Sequence, residues 1–140
     1  MPSLGVFRLT IPSQTKYLNL VTGLAKRASL VAGFDEATAS KVSIAVDESV
    51  TNVIVHAYDS LPDRQIDIEF RFLEKALEVR ILHDGQGLRL DELVIPDAIE
   101  YVRHPRKGGL GLLLMSRFMD GLSFRTVDGR HECCMIKRLA

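Results

Sequence analysis

The sequence contains few cysteines: 2 among 140 residues, Cys133 and Cys134, which are adjacent. Neighbouring side chains on a strand lie on opposite faces, so these two thiols are poorly placed to form a disulfide with each other. Their spacing also matches no common zinc motif. The cysteine content therefore argues against a protein held together by disulfides or by structural zinc.

The sequence also lacks an excess of charge of either sign, with 18 Lys and Arg residues against 18 Asp and Glu residues. A balanced chain has no overall field that attracts nucleic acid or an anionic membrane. No apolar run approaches the length of a transmembrane helix, and the first residues show no basic segment followed by an apolar run. We therefore expect a cytoplasmic protein with no membrane partner and no direct nucleic-acid partner.

Internal repeats, low-complexity tracts and interdomain linkers are absent from the sequence as well. Hydrophobic residues make up 46% of the chain and charged residues 26%, as in ordinary soluble globular proteins. A chain of 140 residues is long enough to bury a core of its own. We predict a single domain that spans residues 1–140.

Hydrophobic periodicity predicts two helices after a first strand. Residues 7–11 alternate between apolar and polar, as in a half-buried strand. Apolar residues at helical spacing predict a helix over residues 17–33, with Ser13 as its candidate N-cap. A longer helix, capped by Asp35, is predicted to run to about residue 58. This second helix is apolar around most of its circumference, so we expect it to be central.

The second half of the sequence predicts one more helix and four more strands. The helix covers residues 112–119, and the strands cover residues 66–72, 77–83, 122–126 and 132–139. The pair Asp128-Gly129 predicts a hairpin turn between the last two strands. We predict an α/β (α+β) two-layer sandwich. It consists of a mixed, mostly antiparallel sheet with helices on one face and solvent on the other.

Polar residues on the long, otherwise apolar helix are candidates for chemistry. Glu48 and Asn52 are four residues apart and share a helix face, and His56 extends the row. The carboxamide oxygen of Asn52 could help to hold a hard cation such as Mg²⁺, and Glu48 could take a proton from a nucleophile. The alternative is a polar helix edge that simply reaches solvent, and spacing alone favours that alternative.

Two glycine-rich turns are further candidates. The segment Asp84-Gly85-Gln86-Gly87 follows a predicted strand, where glycines let the backbone approach a flat ligand closely. The segment Gly108-Gly109-Leu110-Gly111 begins a helix, where free amides and the positive helix end suit a phosphate. Each segment also has a simpler interpretation, as a tight turn and as an ordinary helix start.

Three basic residues lie just before the second glycine segment: Arg103, Arg106 and Lys107. Guanidinium and ammonium groups bind phosphate through charge-assisted hydrogen bonds. They could fold over a bound phosphate, or they could belong to a solvated loop.

The order of these features resembles the ATP-binding boxes of the histidine-kinase-like (GHKL) ATPases. Glu48-x-x-x-Asn52, a glycine turn after a strand and Gly109-x-Gly111 at a helix start correspond to the N, G1 and G2 boxes. The stretch AVDESVTNVIVHAY, at residues 45–58, is similar to the anti-sigma-factor serine kinase branch of that family, as is the stretch from residue 108 to residue 120. The resemblance covers essentially the whole chain and implies the Bergerat ATP-binding fold.

The resemblance implies a role for each box residue. Glu48 would be the catalytic base that activates the acceptor serine, and Asn52 would hold the Mg²⁺ that bridges the phosphates of ATP. Residues 88–107 would form the ATP lid, with Arg103, Arg106 or Lys107 available to the transferred phosphoryl group. The nucleotide-binding residues that it implies are, for adenine, Gly85 and Gly87 and, for phosphate, Gly109, Leu110, Gly111 and Leu112.

His83 departs from the family pattern. The G1 box of the family begins with an Asp that accepts a hydrogen bond from the adenine amino group, and aligning the glycines places His83 there. Strand alternation also puts His83, and not Asp84, on the covered face. A neutral imidazole acceptor in place of a carboxylate costs about 1.4 kcal/mol, or roughly tenfold in affinity. We therefore expect weakened or altered ATP binding.

Three hypotheses follow from the resemblance. The first is an anti-sigma regulatory factor: a homodimeric serine protein kinase that uses ATP and Mg²⁺, sequesters a sigma factor and phosphorylates an anti-sigma factor antagonist. That antagonist would be of the sulfate-transporter and anti-sigma-antagonist (STAS) type. The second is a catalytically weak or inactive partner-binding switch of the same fold, with ATP binding impaired by His83. The third, the catalytic domain of a two-component histidine kinase, fits less well because no helix pair with a phosphoacceptor histidine is present.

Overall fold

The structure is a computed structural model that describes residues 3–85 and 110–140. The elements in these ranges are, in chain order, β1 (Ser3–Pro12), α1 (Leu18–Ala32), α2 (Glu36–Asn52), β2 (Gln65–Leu73), β3 (Ala76–His83), α3 (Leu110–Phe118), β4 (Gly121–Val127) and β5 (Arg130–Arg138). A 3₁₀ turn, Thr15–Tyr17, precedes α1, and a π-helical turn, Val53–Ala57, follows α2.

The five strands form one sheet in the order β1-β2-β3-β5-β4, and each neighbouring pair is antiparallel. One row of paired residues crosses the sheet on the face that carries the helices: Phe7, Phe70, Val79, Met135 and Leu122. Phe70, Val79 and Met135 are fully buried, whereas Phe7 on the edge strand is 59% exposed. The predicted alternation therefore placed the strand side chains on the correct faces, and the predicted antiparallel sheet with helices on one face is confirmed.

Helix α2 lies at the centre of the helical layer, as predicted from its apolar circumference. Val42, Val46 and Val50 are fully buried and share one core with the covered face of the sheet. The carboxylate of Asp35 caps the helix by accepting a hydrogen bond from the Thr38 amide at 2.8 Å. A buried central helix with its start fixed gives its few polar side chains defined positions.

Ser13 does not cap the first helix, contrary to the prediction. The 3₁₀ turn intervenes, and α1 begins only at Leu18, too far along the chain for Ser13 to reach its first amides. The Ser13 hydroxyl instead donates to the carbonyl of Leu61 at 2.6 Å and accepts from the amide of Arg64 at 3.0 Å. It therefore ties the end of β1 to the loop before β2.

The last turn of the predicted long helix is π-helical, not α-helical. The α-helical geometry ends at Asn52, and the amide of Tyr58 donates to the carbonyl of Val53, five residues back, at 2.9 Å. A periodicity of 3.6 residues cannot reveal one wider turn, which is why the sequence did not predict it. Single π-helical turns are frequent at functional sites.

The two cysteines lie on opposite faces of β5, as predicted, and both are free. Cys133 is on the covered face, and burial raises the pKa of its thiol to about 12.

The open face of the sheet carries ion pairs. One of them includes the buried Glu132, whose carboxylate lies 2.5 Å from Arg125 and 3.3 Å from Arg80. None of the described helices combines the length and the apolar character that a membrane crossing requires.

Gly23 in the exposed face of α1 offers a test of helix stability. A Cβ added there would meet no atom within 4 Å, so Gly23→Ala is expected to raise the free energy of unfolding by about 0.5–1 kcal/mol through lower chain entropy. Gly33, which ends the same helix with φ of 107°, is the control, because Ala at that position is strained. Urea unfolding measures both; a loss of stability in Gly23→Ala would contradict the prediction.

Candidate functional site

Glu48 on α2 lies against the first turn of α3. Its Oε2 atom is 2.7 Å from the position that a Cβ on Gly111 would occupy. Only glycine leaves room for the carboxylate this close to the backbone of α3. The structure therefore brings together the predicted carboxylate and one glycine of the second predicted turn, which are separated by more than sixty positions in the sequence.

The carboxyl group of Glu48 is a better proton acceptor than an exposed glutamate. Partial burial raises its pKa above the ordinary value of 4.5, and the negative charge of Asp47 adds to the effect. Burial has this sign because the charged form of the acid loses hydration. A carboxylate with a raised pKa is typical of a general base at a functional site.

Asn52 is the last residue of α2 and is half-buried, one helical turn beyond Glu48. The two side chains therefore share a helix face, as their spacing predicted. His56, predicted to extend this row, lies in the π-helical turn and is exposed. The wider turn changes the angular spacing after Asn52, so the row of polar residues does not simply continue.

Gly85, in the first predicted turn, lies against the other end of the same helical segment. A Cβ added at Gly85 would lie 2.5 Å from the carbonyl oxygen of Ala57 and 2.8 Å from Cδ1 of Tyr58. The backbone of the turn and the backbone of the π-helical turn are therefore in close contact, which only glycine permits. The helical segment spans both predicted turns, with Glu48 at one and Ala57 at the other.

His83 is buried at the end of β3, on the covered face, with 5% of its surface exposed. Its Nδ1 accepts a hydrogen bond from the amide of Gly85 at 3.2 Å. Burial, and after it the neighbouring His131, lowers the pKa of His83 to about 4, so the ring is neutral at pH 7. A neutral ring that accepts at Nδ1 carries its proton on Nε2. The sequence predicted that an acceptor nitrogen of His83 is available to a ligand. In the structure the amide of Gly85 already donates to that nitrogen, Nδ1.

The remaining predicted site residues divide into two groups. Leu110 and Leu112 lie in the first turn of α3. The side chain of Leu110 is exposed. The side chain of Leu112 is buried in the core, so Leu112 can offer a ligand only its backbone amide. The others lie outside the described residues: Gly87, Arg103, Arg106, Lys107, Gly109 and the predicted lid at residues 88–107.

Two residues near the first turn were missed by the sequence. The Tyr58 hydroxyl accepts a hydrogen bond from the amide of Asp84 at 2.9 Å, and the Arg130 guanidinium donates to the Asp84 carboxylate at 3.0 Å. Tyr58 had been interpreted as a helix end and as the last residue of the family-like stretch at residues 45–58, with no role of its own. Arg130 follows the predicted hairpin turn, but its partner depends on the pairing of β3 with β5.

A cleft of about 600 Å³ adjoins the first turn on the side of Tyr58. Its walls are the end of the π-helical turn, the loop that precedes β2, and the Asp84-Gly85 pair. Glu48, Asn52 and His83 do not line it. The cleft is therefore not the space beside the Glu48–Gly111 contact.

The donors at the site suit a magnesium ion that arrives with phosphates. The described residues contain no cluster of three His, Cys, Asp or Glu side chains that could hold a metal alone. Mg²⁺ commonly takes one or two protein oxygens and completes its coordination with phosphates and water. The carboxamide of Asn52, one helical turn from the Glu48 carboxylate that lies beside the start of α3, is a donor of that kind.

Gly111→Ala is expected to displace the Glu48 carboxylate toward solvent. The added Cβ would lie 2.7 Å from Oε2, and the end of a flexible side chain moves at little cost. The pKa of Glu48 should then fall toward 4.5, which a ¹³C NMR titration of the carboxyl group measures. Gly121→Ala is the matched control, since its Cβ would lie 2.6 Å from Ile136 Cγ2, away from Glu48. An unchanged pKa in Gly111→Ala would contradict this geometry.

Residues 11–137 match the family described as the histidine kinase-like ATPase domain. The serine-protein kinase RsbW of Listeria monocytogenes serovar 1/2a is 32% identical over 129 residues, which cover 86% of this chain and 80% of the relative. The RsbW of Oceanobacillus iheyensis is 25% identical over 137 residues, 92% of this chain and 84% of the relative. An anti-sigma F factor of Clostridium botulinum is 36% identical over 87 residues, 59% of this chain and 58% of the relative.

Solved structures show the same fold. The crystal structure of the RsbU and RsbW domains of Rv1364c from Mycobacterium tuberculosis superposes with a TM-score of 0.66 at 14% identity. The match covers 96% of this chain and 32% of that longer chain. Because residues 11–137 match the family and the Listeria relative is similar over most of both chains, the chain belongs to the histidine kinase-like ATPase family, in the branch of RsbW-like serine-protein kinases.

Proposed function

We propose that the protein is an anti-sigma regulatory factor that uses ATP and Mg²⁺ to phosphorylate a serine of an anti-sigma factor antagonist. The observation that carries the proposal is the contact between the Glu48 carboxylate and Gly111. It puts a proton acceptor of raised pKa at the start of a helix, where backbone amides favour phosphate. A base beside a phosphate site is one of the arrangements by which enzymes transfer a phosphoryl group to a hydroxyl.

The residues around the contact between Glu48 and Gly111 have distinct tasks in the proposed reaction. Glu48 accepts the proton of the serine hydroxyl as the serine oxygen bonds to the terminal phosphorus of ATP, whose bond to the bridging oxygen breaks to release ADP. Asn52 would hold Mg²⁺, which neutralises phosphate charge when bound. Gly111 leaves space for the carboxylate, and the amides of Gly109 to Leu112 would contact the phosphate oxygens. Phosphoryl transfer depends mainly on positioning and charge neutralisation, so few groups suffice.

The adenine end of the nucleotide would lie near the first turn. Gly85 and Gly87 would allow the close approach of a flat base, with His83 beside them. Arg103, Arg106 or Lys107, in the proposed lid at residues 88–107, would bind the phosphate that is transferred. These assignments follow the order of the boxes in the family.

The proposed partners come from the names of the relatives. The serine-protein kinases RsbW and the anti-sigma F factor support a sigma factor as one partner and an antagonist of the STAS type as the phosphate acceptor. The proposal includes a homodimer and, because sigma factors act in transcription, a cytoplasmic location.

Phosphorylation of a panel of STAS-domain proteins from the same organism tests the proposal. The purified protein is incubated with ATP, Mg²⁺ and each candidate antagonist, and phosphoserine is identified by mass spectrometry. We expect one antagonist to be modified and a sigma factor to be retained by the nucleotide-bound protein. If folded protein with bound ATP modifies none of them, the kinase proposal fails.

His83 supports a second candidate, a partner-binding switch with little kinase activity. Its Nδ1 is engaged by the Gly85 amide, so the neutral ring has only a donor left to offer a base. Calorimetric titration with ATP and Mg²⁺ separates the two candidates. A dissociation constant below about 1 mM that depends on Mg²⁺ counts against the switch, whereas absent heat with retained sigma binding favours it.

A further inference from the structure

The hydroxyl of Tyr58 joins three elements at the first glycine turn. It accepts a hydrogen bond from the Asp84 amide at 2.9 Å and donates one to the carbonyl of Gln65, at the start of β2, at 2.7 Å. Tyr58 is itself 5% exposed and follows the π-helical turn directly. The buried phenol therefore fixes the distance between the end of the central helix and the end of β3.

Arg130 holds Asp84 from the open face of the sheet. Its Nε donates to the Asp84 carboxylate at 3.0 Å, and its Nη1 donates to Asp67 on β2 at 2.8 Å. Asp67 in turn accepts a hydrogen bond from the Thr10 hydroxyl on β1. Asp84 is therefore tied by its backbone to the end of the central helix and by its side chain to Arg130 on β5, which also bonds to β2.

The position of this turn is critical because there is no spare space between it and the end of the central helix. Gly85 already lies so close to Ala57 that a single added carbon would overlap the Ala57 carbonyl. A shift of the turn toward the helix is blocked, and a shift away from it would break the Tyr58 and Arg130 contacts. Small displacements of this kind strongly affect ligand positioning.

We propose that Tyr58 and Arg130 are positioning residues that set the affinity of the protein for nucleotide by holding the Asp84-Gly85 turn against the central helix. This inference rests on the proposed function in that the ligand is a nucleotide. Neither side chain is assigned to the chemistry: both act through the turn, and Glu48 lies at the other end of the helical segment.

Two variants test the inference, Tyr58→Phe and Arg130→Gln. Tyr58→Phe removes only the hydroxyl, and Arg130→Gln removes the guanidinium group that donates hydrogen bonds to both Asp67 and Asp84. In nucleotide-free protein, hydrogen exchange of the Asp84 and Gly85 amides should become roughly tenfold faster in Tyr58→Phe, as expected for one lost hydrogen bond. The dissociation constant for ATP with Mg²⁺ should rise roughly tenfold in each variant, and KM should rise with it while kcat stays within twofold.

The controls are Tyr17→Phe and Arg8→Gln. Tyr17 is half-buried at the start of α1, and Arg8 is an exposed arginine that pairs with Glu69 on the same open face. Both controls should leave exchange at the turn and nucleotide affinity unchanged. Should Tyr58→Phe not fold, Arg130→Gln carries the test alone.

The outcomes separate this inference from the kinase proposal, since nucleotide binding is measured without a protein substrate. Unchanged exchange and unchanged affinity in both variants would overturn the positioning role even if the wild-type protein is an active kinase. A fall in kcat with KM unchanged would overturn it too, because the turn would then act in the chemistry. Conversely, if both variants bind ATP more weakly and the wild-type protein phosphorylates no antagonist, the positioning role is supported and the kinase proposal fails.

Discussion

Replacing Glu48 with Gln is expected to lower the rate of phosphate transfer to the antagonist by a factor of about 10²–10⁴, the contribution that a general base typically makes. Gln keeps the size of the side chain beside Gly111, but it cannot accept the proton of the attacking hydroxyl. The transfer rate at saturating ATP and Mg²⁺ measures the effect. Glu36→Gln is the matched control, since Glu36 is exposed in the first turn of the same helix.

The pH dependence of the wild-type rate reports on the same residue. The base must be ionised, so the rate falls as the pH drops through the pKa of Glu48. Burial and Asp47 raise that pKa, so the decline should occur at higher pH than for an ordinary glutamate. A transfer rate in Glu48→Gln within threefold of the wild-type rate would rule out Glu48 as the base.

Gly85→Ala is expected to weaken ATP binding more than tenfold and to lower the free energy of unfolding by about 1–3 kcal/mol, the usual cost of overpacking. The new Cβ would lie 2.5 Å from the carbonyl oxygen of Ala57. This oxygen belongs to the backbone and cannot rotate away, so the turn or the end of the central helix has to move. Calorimetric titration and urea unfolding measure the two effects.

The control for Gly85→Ala is Gly5→Ala in β1. A Cβ at Gly5 would meet no atom within 4 Å, so its effect on stability should stay within about 0.5 kcal/mol. If Gly85→Ala bound ATP as tightly as the wild-type protein and unfolded at the same urea concentration, the close contact between the turn and the helix would be disproved.

The two glycine substitutions differ in what the added carbon meets, and the sequence could not distinguish them. Gly85 faces a backbone carbonyl, whereas Gly111 faces the end of the Glu48 side chain. Both glycines belong to turns that the sequence had selected, but a motif says only that close approach is allowed. Which atom approaches depends on how β3 and α3 pack against α2.

The sequence by itself determined the elements, the faces of the strands and the order of the Glu48–Asn52 pair and the two glycine turns. These follow from patterns within a few residues: alternation in β2 and β3, the Asp35 cap, the Gly33 end of α1 and the Asp128-Gly129 turn. Local geometry is set by neighbouring residues, so such patterns are visible in a single sequence. The π-helical turn after Asn52 escaped because it changes the period over one turn only.

Only the tertiary structure decided what surrounds the site. Asp84 meets Tyr58 across 26 positions and Arg130 across 46, and these pairings depend on the register of β3 with β5 and on the end point of the central helix. The engaged Nδ1 of His83 likewise depends on how the chain turns after β3. Periodicity shows which face a side chain occupies but not which distant group it meets, because that choice is made by the packing of whole elements.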